Sequence, residues 1–199
     1  TRTSYASSAR RSSGRARDPE RARARRGRGV RIGLLADTHD RVPAVEAFLR
    51  RFADAGVALV LHAGDYCAPF SLAPFREVAI PLLGVFGHTD GDREGLVAAA
   101  SSLPAGGEIV GAPHVLDAGG TSILLLHELG DVPERSLEGH AVVVHGCTHR
   151  ADLRTRGGAL LVNPGEACGW QHGVPTAAIL DAAARHVEPI TLDGPEWAR

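Results

Sequence analysis

The sequence predicts an α/β fold in which two β-sheets pack face to face as a two-sheet β-sandwich flanked by helices. Three observations carry that expectation. Short apolar runs in the first half alternate with helix-spaced segments, as in βαβ units. The second half switches to strand pairs joined by adjacent glycines, the signature of hairpins. Polar clusters follow the apolar runs, where open α/β sheets collect ligand-binding groups.

Val30 to Ala36 is the first buried strand and ends in Asp37-Thr38-His39-Asp40; Val57 to His62 is the second and ends in Ala63-Gly64-Asp65. Between them, Val45, Phe48, Leu49 and Phe52 fall at helical spacing over Pro43 to Asp54. Pro43 suits a first turn and Gly56 a C-terminal cap. A helical stretch near Pro69 to Glu77 leads to a third strand, Ile80 to Phe86, followed by Gly87-His88-Thr89-Asp90. Glu108 to Leu116 and Thr121 to His127, joined by Ala118-Gly119-Gly120, read as one hairpin; Asp152 to Arg156 and Ala159 to Val162, joined by Gly157-Gly158, read as another. Thr176 to Leu180 and Val187 to Leu192 suggest a final antiparallel pair, and no fixed-period repeat points to a solenoid.

The strand-end clusters concentrate metal-competent side chains: Asp37 and His39, Asp65, His88 and Asp90, His127, then Cys147 and His149. Carboxylate oxygen with imidazole nitrogen suits Mn, Fe, Zn or Co better than Ca or Mg. Two such ions about 3.5 to 4 Å apart can clamp the attacking and leaving oxygens of a phosphoryl centre. A single strand-end histidine would carry no such weight, and Asp37-Thr38 alone could be a helix N-cap. His62 and His114 read as packing or surface histidines, Cys67 and Cys168 as small apolar residues. His172 could face a substrate mouth, and Trp170 reads equally as a lid residue or an interface anchor.

In order, these clusters resemble the calcineurin-like metallophosphoesterase superfamily, whose pattern is Asp-x-His, Gly-Asp, Gly-Asn-x-Asp, a lone His and Gly-His-x-His. Its small bacterial and archaeal YfcE-type phosphodiesterases are the nearest in pattern, over Val30 to about Leu192 and including Asn163-Pro164-Gly165. The resemblance implies the αββα metallophosphoesterase fold and two divalent metal ions, Mn, Zn or Fe. Asp37, His39 and His149 would hold one, His127, Cys147 and His88 the other, and Asp65 would bridge. The implied activity is that of a phosphodiesterase, hydrolysing a small phosphate ester with a hydroxide that bridges the metals. His88 would also stabilise charge as a catalytic residue, with Asn163 and His172 binding substrate. The sequence departs from the pattern at His88, which replaces Asn, and at Cys147, which replaces the first His of Gly-His-x-His. Thr89 stands where many members carry a catalytic His, favouring esters with acidic leaving alcohols. The alternative is a catalytically weak or inactive binding scaffold of the same fold, as in the retromer subunit that resembles these enzymes.

The 199 residues suffice for one well-buried domain, expected over residues 30–199. Net charge is -1, but residues 1–29 hold ten Arg against Asp18 and Glu20, a balance of +8 that leaves -9 on the remainder. So acidic a body argues against nucleic acid as a partner. Residues 1–29, rich in Arg, Ser, Ala and Gly, are expected to be disordered. The absence of Met and Lys suggests a GC-rich gene whose true start is at Val30, the alternative being a nucleic-acid or membrane-surface arm or a targeting peptide. No apolar run is long enough for a membrane span. Three cysteines are too few and too odd for a disulfide framework, so a cytoplasmic protein is expected, with homo-oligomerisation left open.

Overall fold

The structure, a computed structural model, describes residues 29–194 and 197. The expectations of a disordered tail and of a start at Val30 concern residues that lie outside or at the border of this range. The first sheet has the order β11-β10-β1-β2-β3-β4 and the second β5-β6-β7-β9-β8. In chain order the strands are β1 (Arg31–Leu35), β2 (Leu59–His62), β3 (Leu82–Val85), β4 (Gly107–Val110), β5 (His114–Asp117), β6 (Ser122–Leu125), β7 (Val142–Val144), β8 (Ala151–Arg156), β9 (Ala159–Pro164), β10 (Thr176–Asp181) and β11 (His186–Thr191).

Strands β1 to β4 are parallel neighbours, crossing over through α1 (Val42–Asp54), a 3₁₀ segment (Pro69–Glu77) and α2 (Arg93–Ser101). α1 starts with a proline in its first turn. It ends in a Schellman motif: Gly56 at φ +70° donates to the Ala53 carbonyl at 3.0 Å, and the Val57 N–H donates to the Phe52 carbonyl at 3.0 Å. α2 escapes the sequence reading because it is short and Ala-rich, burying only Leu96 and Ala100; Asp92 caps it by accepting from the Gly95 N–H at 2.9 Å.

One expected strand is two. Glu108 to Leu116 divides into β4, beside β3 in the first sheet, and β5, antiparallel to β6 in the second. The chain changes sheets at Gly111-Ala112-Pro113, where Pro113 has no N–H to give a ladder. The expected hairpin is therefore the shorter β5–β6 pair, closed by the Ala118 N–H on the Thr121 carbonyl at 2.9 Å. The β8–β9 and β10–β11 hairpins form where expected.

The sheets meet over Ile32, Leu34, Leu61, Val85, Ile123, Leu125, Val142, Val144 and Val162. On the other face of the first sheet, Leu35, Val60 and Ile179 pack under Phe48 and Phe52 of α1 and under Leu72 and Phe75 of the 3₁₀ segment. Burial on both faces explains why these strands read as continuous apolar runs. The second sheet's outer side is thinner, covered by Leu129, Val132 and Leu137 in and around two 3₁₀ turns. No helix among the described residues is long and apolar enough to cross a membrane. The parallel strands β1, β2, β3, β6 and β7 deliver their following loops to one rim.

Candidate metal centre

The rim loops hold unusual backbone. Asp37, His39, Asp40, Asp65, Cys67, Cys147 and His149 all have positive φ, between 38° and 76°. Such conformations cost non-glycine residues roughly 1–3 kcal/mol each and persist only where surrounding bonds enforce them. Those bonds are present. The loops after β1 and β2 are zipped by the Asp37, His39 and Asp40 N–H groups on the Gly64, Asp65 and Tyr66 carbonyls at 3.0, 3.1 and 3.0 Å. Asp90, metal-competent by residue type, serves instead as a loop anchor: its carboxylate accepts from the backbone N–H groups of Asp65, Tyr66, Cys67 and Gly87 at 2.7 to 3.1 Å. At Gly64, φ +96°, a side-chain carbon would lie 2.8 Å from His127 Nδ1, so glycine is required for the loops to close this tightly.

Two groups of ligand-type atoms result. Asp37, His39, Asp65 and His149 each offer one atom, and these lie within 4.8 Å of one another; His88, His127 and Cys147 form the second group on the same criterion. Asp65 joins them, with Oδ2 at 3.6 Å from His39 Nε2 and Oδ1 at 3.6 Å from His127 Nε2.

The first group fits a cation on the chemistry of its own atoms. Asp37 is fully buried and neither carboxylate oxygen has a hydrogen-bond partner. Burial, aided by Asp65 and opposed by His149, lifts its carboxyl from 3.8 to about 7. The imidazoles of His39 and His149 stack with centroids 5.0 Å apart and face each other through Nε2 atoms at 3.3 Å. His149 Nδ1 is held by Glu166 at 2.9 Å, which leaves its Nε2 lone pair directed at the centre. The Nε2 lone pair of His149 and the unpaired buried carboxylate of Asp37 converge on one place beside His39 Nε2, and a cation there would satisfy both.

The second group is more open. His127 is 1 % exposed, its Nδ1 donates to the Ala63 carbonyl at 2.7 Å, and its Nε2 is orphaned. His88 Nδ1 lies 3.9 Å from Cys147 Sγ, while its Nε2 lies 3.4 Å from Glu128. With Nε2 so engaged, a single nitrogen remains for either ligation or charge stabilisation. Burial and the acids around it, Glu128 first, push the Cys147 thiol up to about 11. A metal must therefore displace its proton.

The structure places the expected substrate residues differently. Asn163 is 2 % exposed; its amide N–H groups donate to the Gly146 carbonyl at 2.8 Å and Thr148 Oγ1 at 3.0 Å, and its oxygen accepts from Gly165. It holds the Cys147–His149 loop with both of its amide hydrogens committed there. His172 stays exposed beside His149, on a depression of about 380 Å³.

Sequence reasoning missed several contributors. Glu166 is buried and accepts from His149, from Cys168 Sγ at 3.5 Å and from the N–H groups of Gln171 and His172. Burial raises its carboxyl, but His149 and these donors outweigh that and hold it below its ordinary range. Asp65 behaves alike: burial is overcome by the Thr89 N–H, His127 and His39. Cys67 is more than a small apolar residue, since its sulfur lies 3.3 Å from both His39 Nδ1 and Thr89 Oγ1. His62 is a packing histidine as expected, stacked on Tyr66 at 3.8 Å and lowered by burial to about 3. Gly64 N–H donates to its Nδ1, so its Nε2–H donates to Thr38 Oγ1 at 3.1 Å and braces the Asp37 loop. Trp170 is 61 % exposed, donates from Nε1 to the His39 carbonyl at 3.4 Å and stacks on Arg41.

The phosphodiesterase MJ0936 of Methanocaldococcus jannaschii is 27% identical over 178 residues, covering 82% of this chain and all of its own. A solved structure described as a novel archaeal phosphodiesterase superposes with a TM-score of 0.76 at 27% identity, covering 81% of this chain and 99% of its own. The Escherichia coli phosphoesterase Yfce shares the fold at a TM-score of 0.60 and 17% identity, over 80% and 98% of the two chains. A Vps29 of Entamoeba histolytica does so at 0.58 and 20%, over 82% and 99%. Residues 30–185 match the calcineurin-like phosphoesterase superfamily domain, and the chain belongs to that superfamily.

Proposed function

We propose that this chain is a metal-dependent phosphodiesterase in which Asp37, His39, Asp65 and His149 hold one divalent ion and Asp65, His88, His127 and Cys147 a second. The observation that carries the reading is Asp65, whose two oxygens face the two groups at 3.6 Å each. Ions at those positions would supply Lewis-acid polarisation of a phosphoryl group and a nucleophile at neutral pH. The chain's own residues orient and restrict. Glu166 fixes the tautomer of His149, Ala63 that of His127, and Glu128 directs the His88 ring. Thr89 gives its backbone N–H to Asp65 at 2.9 Å and sits where a proton donor would be needed, so no side chain there protonates a departing alkoxide. Substrates with acidic leaving alcohols are favoured, and His172 borders the site where one would enter. The ions are Mn, Zn or Fe, and Cys147 weights the second position toward the softer Zn and Fe.

The raised Cys147 thiol favours a second reading, a binding scaffold whose second group stays empty. Metal content per chain, with hydrolysis of bis-p-nitrophenyl phosphate after addition of Mn or Zn, tests both. About two ions with metal-dependent turnover are expected for the enzyme. One ion or none, and no turnover with any cation, would establish the scaffold.

A further inference from the structure

Three ligand histidines of the centre differ in what holds the ring nitrogen turned away from it. His149 gives its Nδ1–H to the Glu166 carboxylate at 2.9 Å, and His127 gives its Nδ1–H to the Ala63 carbonyl at 2.7 Å. Both partners only accept, so both rings are fixed with Nε2 free. His39 Nδ1 instead meets Cys67 Sγ at 3.3 Å, and a thiol can both donate and accept. The same sulfur lies 3.3 Å from Thr89 Oγ1. Thr89 turns its own hydroxyl hydrogen to the Asp65 carboxylate, so Oγ1 is open to receive one from sulfur. The backbone sets the sulfur in this place: Cys67 has φ +76°, and its N–H donates to Asp90 at 2.9 Å. Its single hydrogen can therefore point to His39 or to Thr89.

On the other side of the His39 ring, Nε2 lies 3.3 Å from His149 Nε2 and 3.6 Å from Asp65 Oδ2. Both neighbours have only lone pairs to offer, so in metal-free protein the hydrogen of a neutral His39 belongs on Nε2. Nδ1 then accepts from the Cys67 thiol. Ligation through Nε2 needs the opposite tautomer, with the hydrogen on Nδ1 and the sulfur as its acceptor. We propose that Cys67 is a positioning residue that lets His39 exchange tautomers when a divalent ion enters the first group. One proton leaves Nε2 and one arrives at Nδ1, so the ring stays neutral. The thiol keeps its hydrogen and swings it from His39 to Thr89 Oγ1. His127 and His149, held by partners that only accept, stay in one tautomer throughout. His149 is thus presented to a metal in advance, and His39 completes the set as the ion binds.

The inference rests on the metal-centre reading, and the test separates the two. Long-range proton–nitrogen correlation spectra of isotope-labelled protein, taken at about pH 8 where a histidine is neutral, report which ring nitrogen carries the hydrogen. The His39 signals are assigned by their loss in His39→Gln. Metal-free protein is expected to show His39 with its hydrogen on Nε2 and zinc-loaded protein with it on Nδ1, while His127 and His149 keep theirs on Nδ1 in both. Calorimetric zinc titration gives a second readout. Cys67→Ala is expected to weaken the tighter position by about tenfold, and Cys67→Ser, which still donates and accepts, to restore it to within about threefold of wild type. The same His39 tautomer with and without zinc overturns the switch while leaving the metal centre standing. So does Cys67→Ala binding zinc as tightly as wild type, or Cys67→Ser binding it no better than Cys67→Ala. No zinc bound by the wild-type protein removes the metal-centre reading itself.

Discussion

The two halves of the centre are built to different standards. Around Asp37, His39 and His149 the ligand atoms are shielded, and Glu166, Cys67 and the zipped loops orient them. Around His88 and Cys147, one ring is more than half exposed, held by the partly exposed Glu128 and edge-on against His127, and a thiol keeps its proton to about 11. The first half is preorganised for a cation that would relieve its buried carboxylate. In the second half the metal must do part of the organising. Affinity should therefore divide unequally, with the first position filling at lower metal concentration.

Breaking the shared element should erase the difference. Asp65→Asn removes the charge facing both groups, and turnover of bis-p-nitrophenyl phosphate is expected to fall by about 10³-fold or more, since it removes much of the electrostatic stabilisation. Metal titration should show both positions weakened; retained turnover would remove Asp65 from its bridging role.

Glu166→Gln attacks only the better-ordered half. Losing the carboxylate behind His149 is expected to weaken the tighter metal by about 10- to 100-fold, leaving the weaker one near its original affinity. Calorimetric titration reads both constants in one experiment. Cys147→His should sharpen the comparison from the other side. A neutral imidazole requires no deprotonation at neutral pH, so the weaker position is expected to fill at roughly tenfold lower metal concentration and to lose most of its pH dependence.

The smallest effect is on stability. Asp37 is raised in the folded protein from 3.8 to about 7. Between those values Asp37 holds more proton in the metal-free fold than in the unfolded chain, so its own contribution to stability falls as pH rises through that window, while His62, lowered to about 3, contributes the opposite trend. Thermal melts of metal-stripped protein and of its Asp37→Asn variant isolate the Asp37 contribution: the wild-type Tm minus the variant Tm should decline from about pH 4 toward pH 7. A flat difference would place Asp37 among ordinary solvated carboxylates.

Much of this molecule was legible in its residues. Apolar runs marked β1 to β3 because strands buried on both faces have no polar side to disguise them. Paired glycines marked the β8–β9 turn, and the order of Asp, His and Cys clusters after strands picked out the residues that the fold gathers into two metal-competent groups. What the sequence could not decide was anything set by approach between distant segments. Glu108 to Leu116 has one unbroken strand-like pattern, yet the packing of two sheets required the chain to leave one and join the other at Pro113. Glu166 reaches His149 across 17 residues through a turn with no periodic signal. Asn163 looked available to substrate until the loop it holds folded onto it. The residues determine which chemistry is within reach, because side-chain type and strand-end position are local properties. Which carboxylate meets a ligand, which braces a loop, and which nitrogen is left free are decided only when the rim loops close on one another.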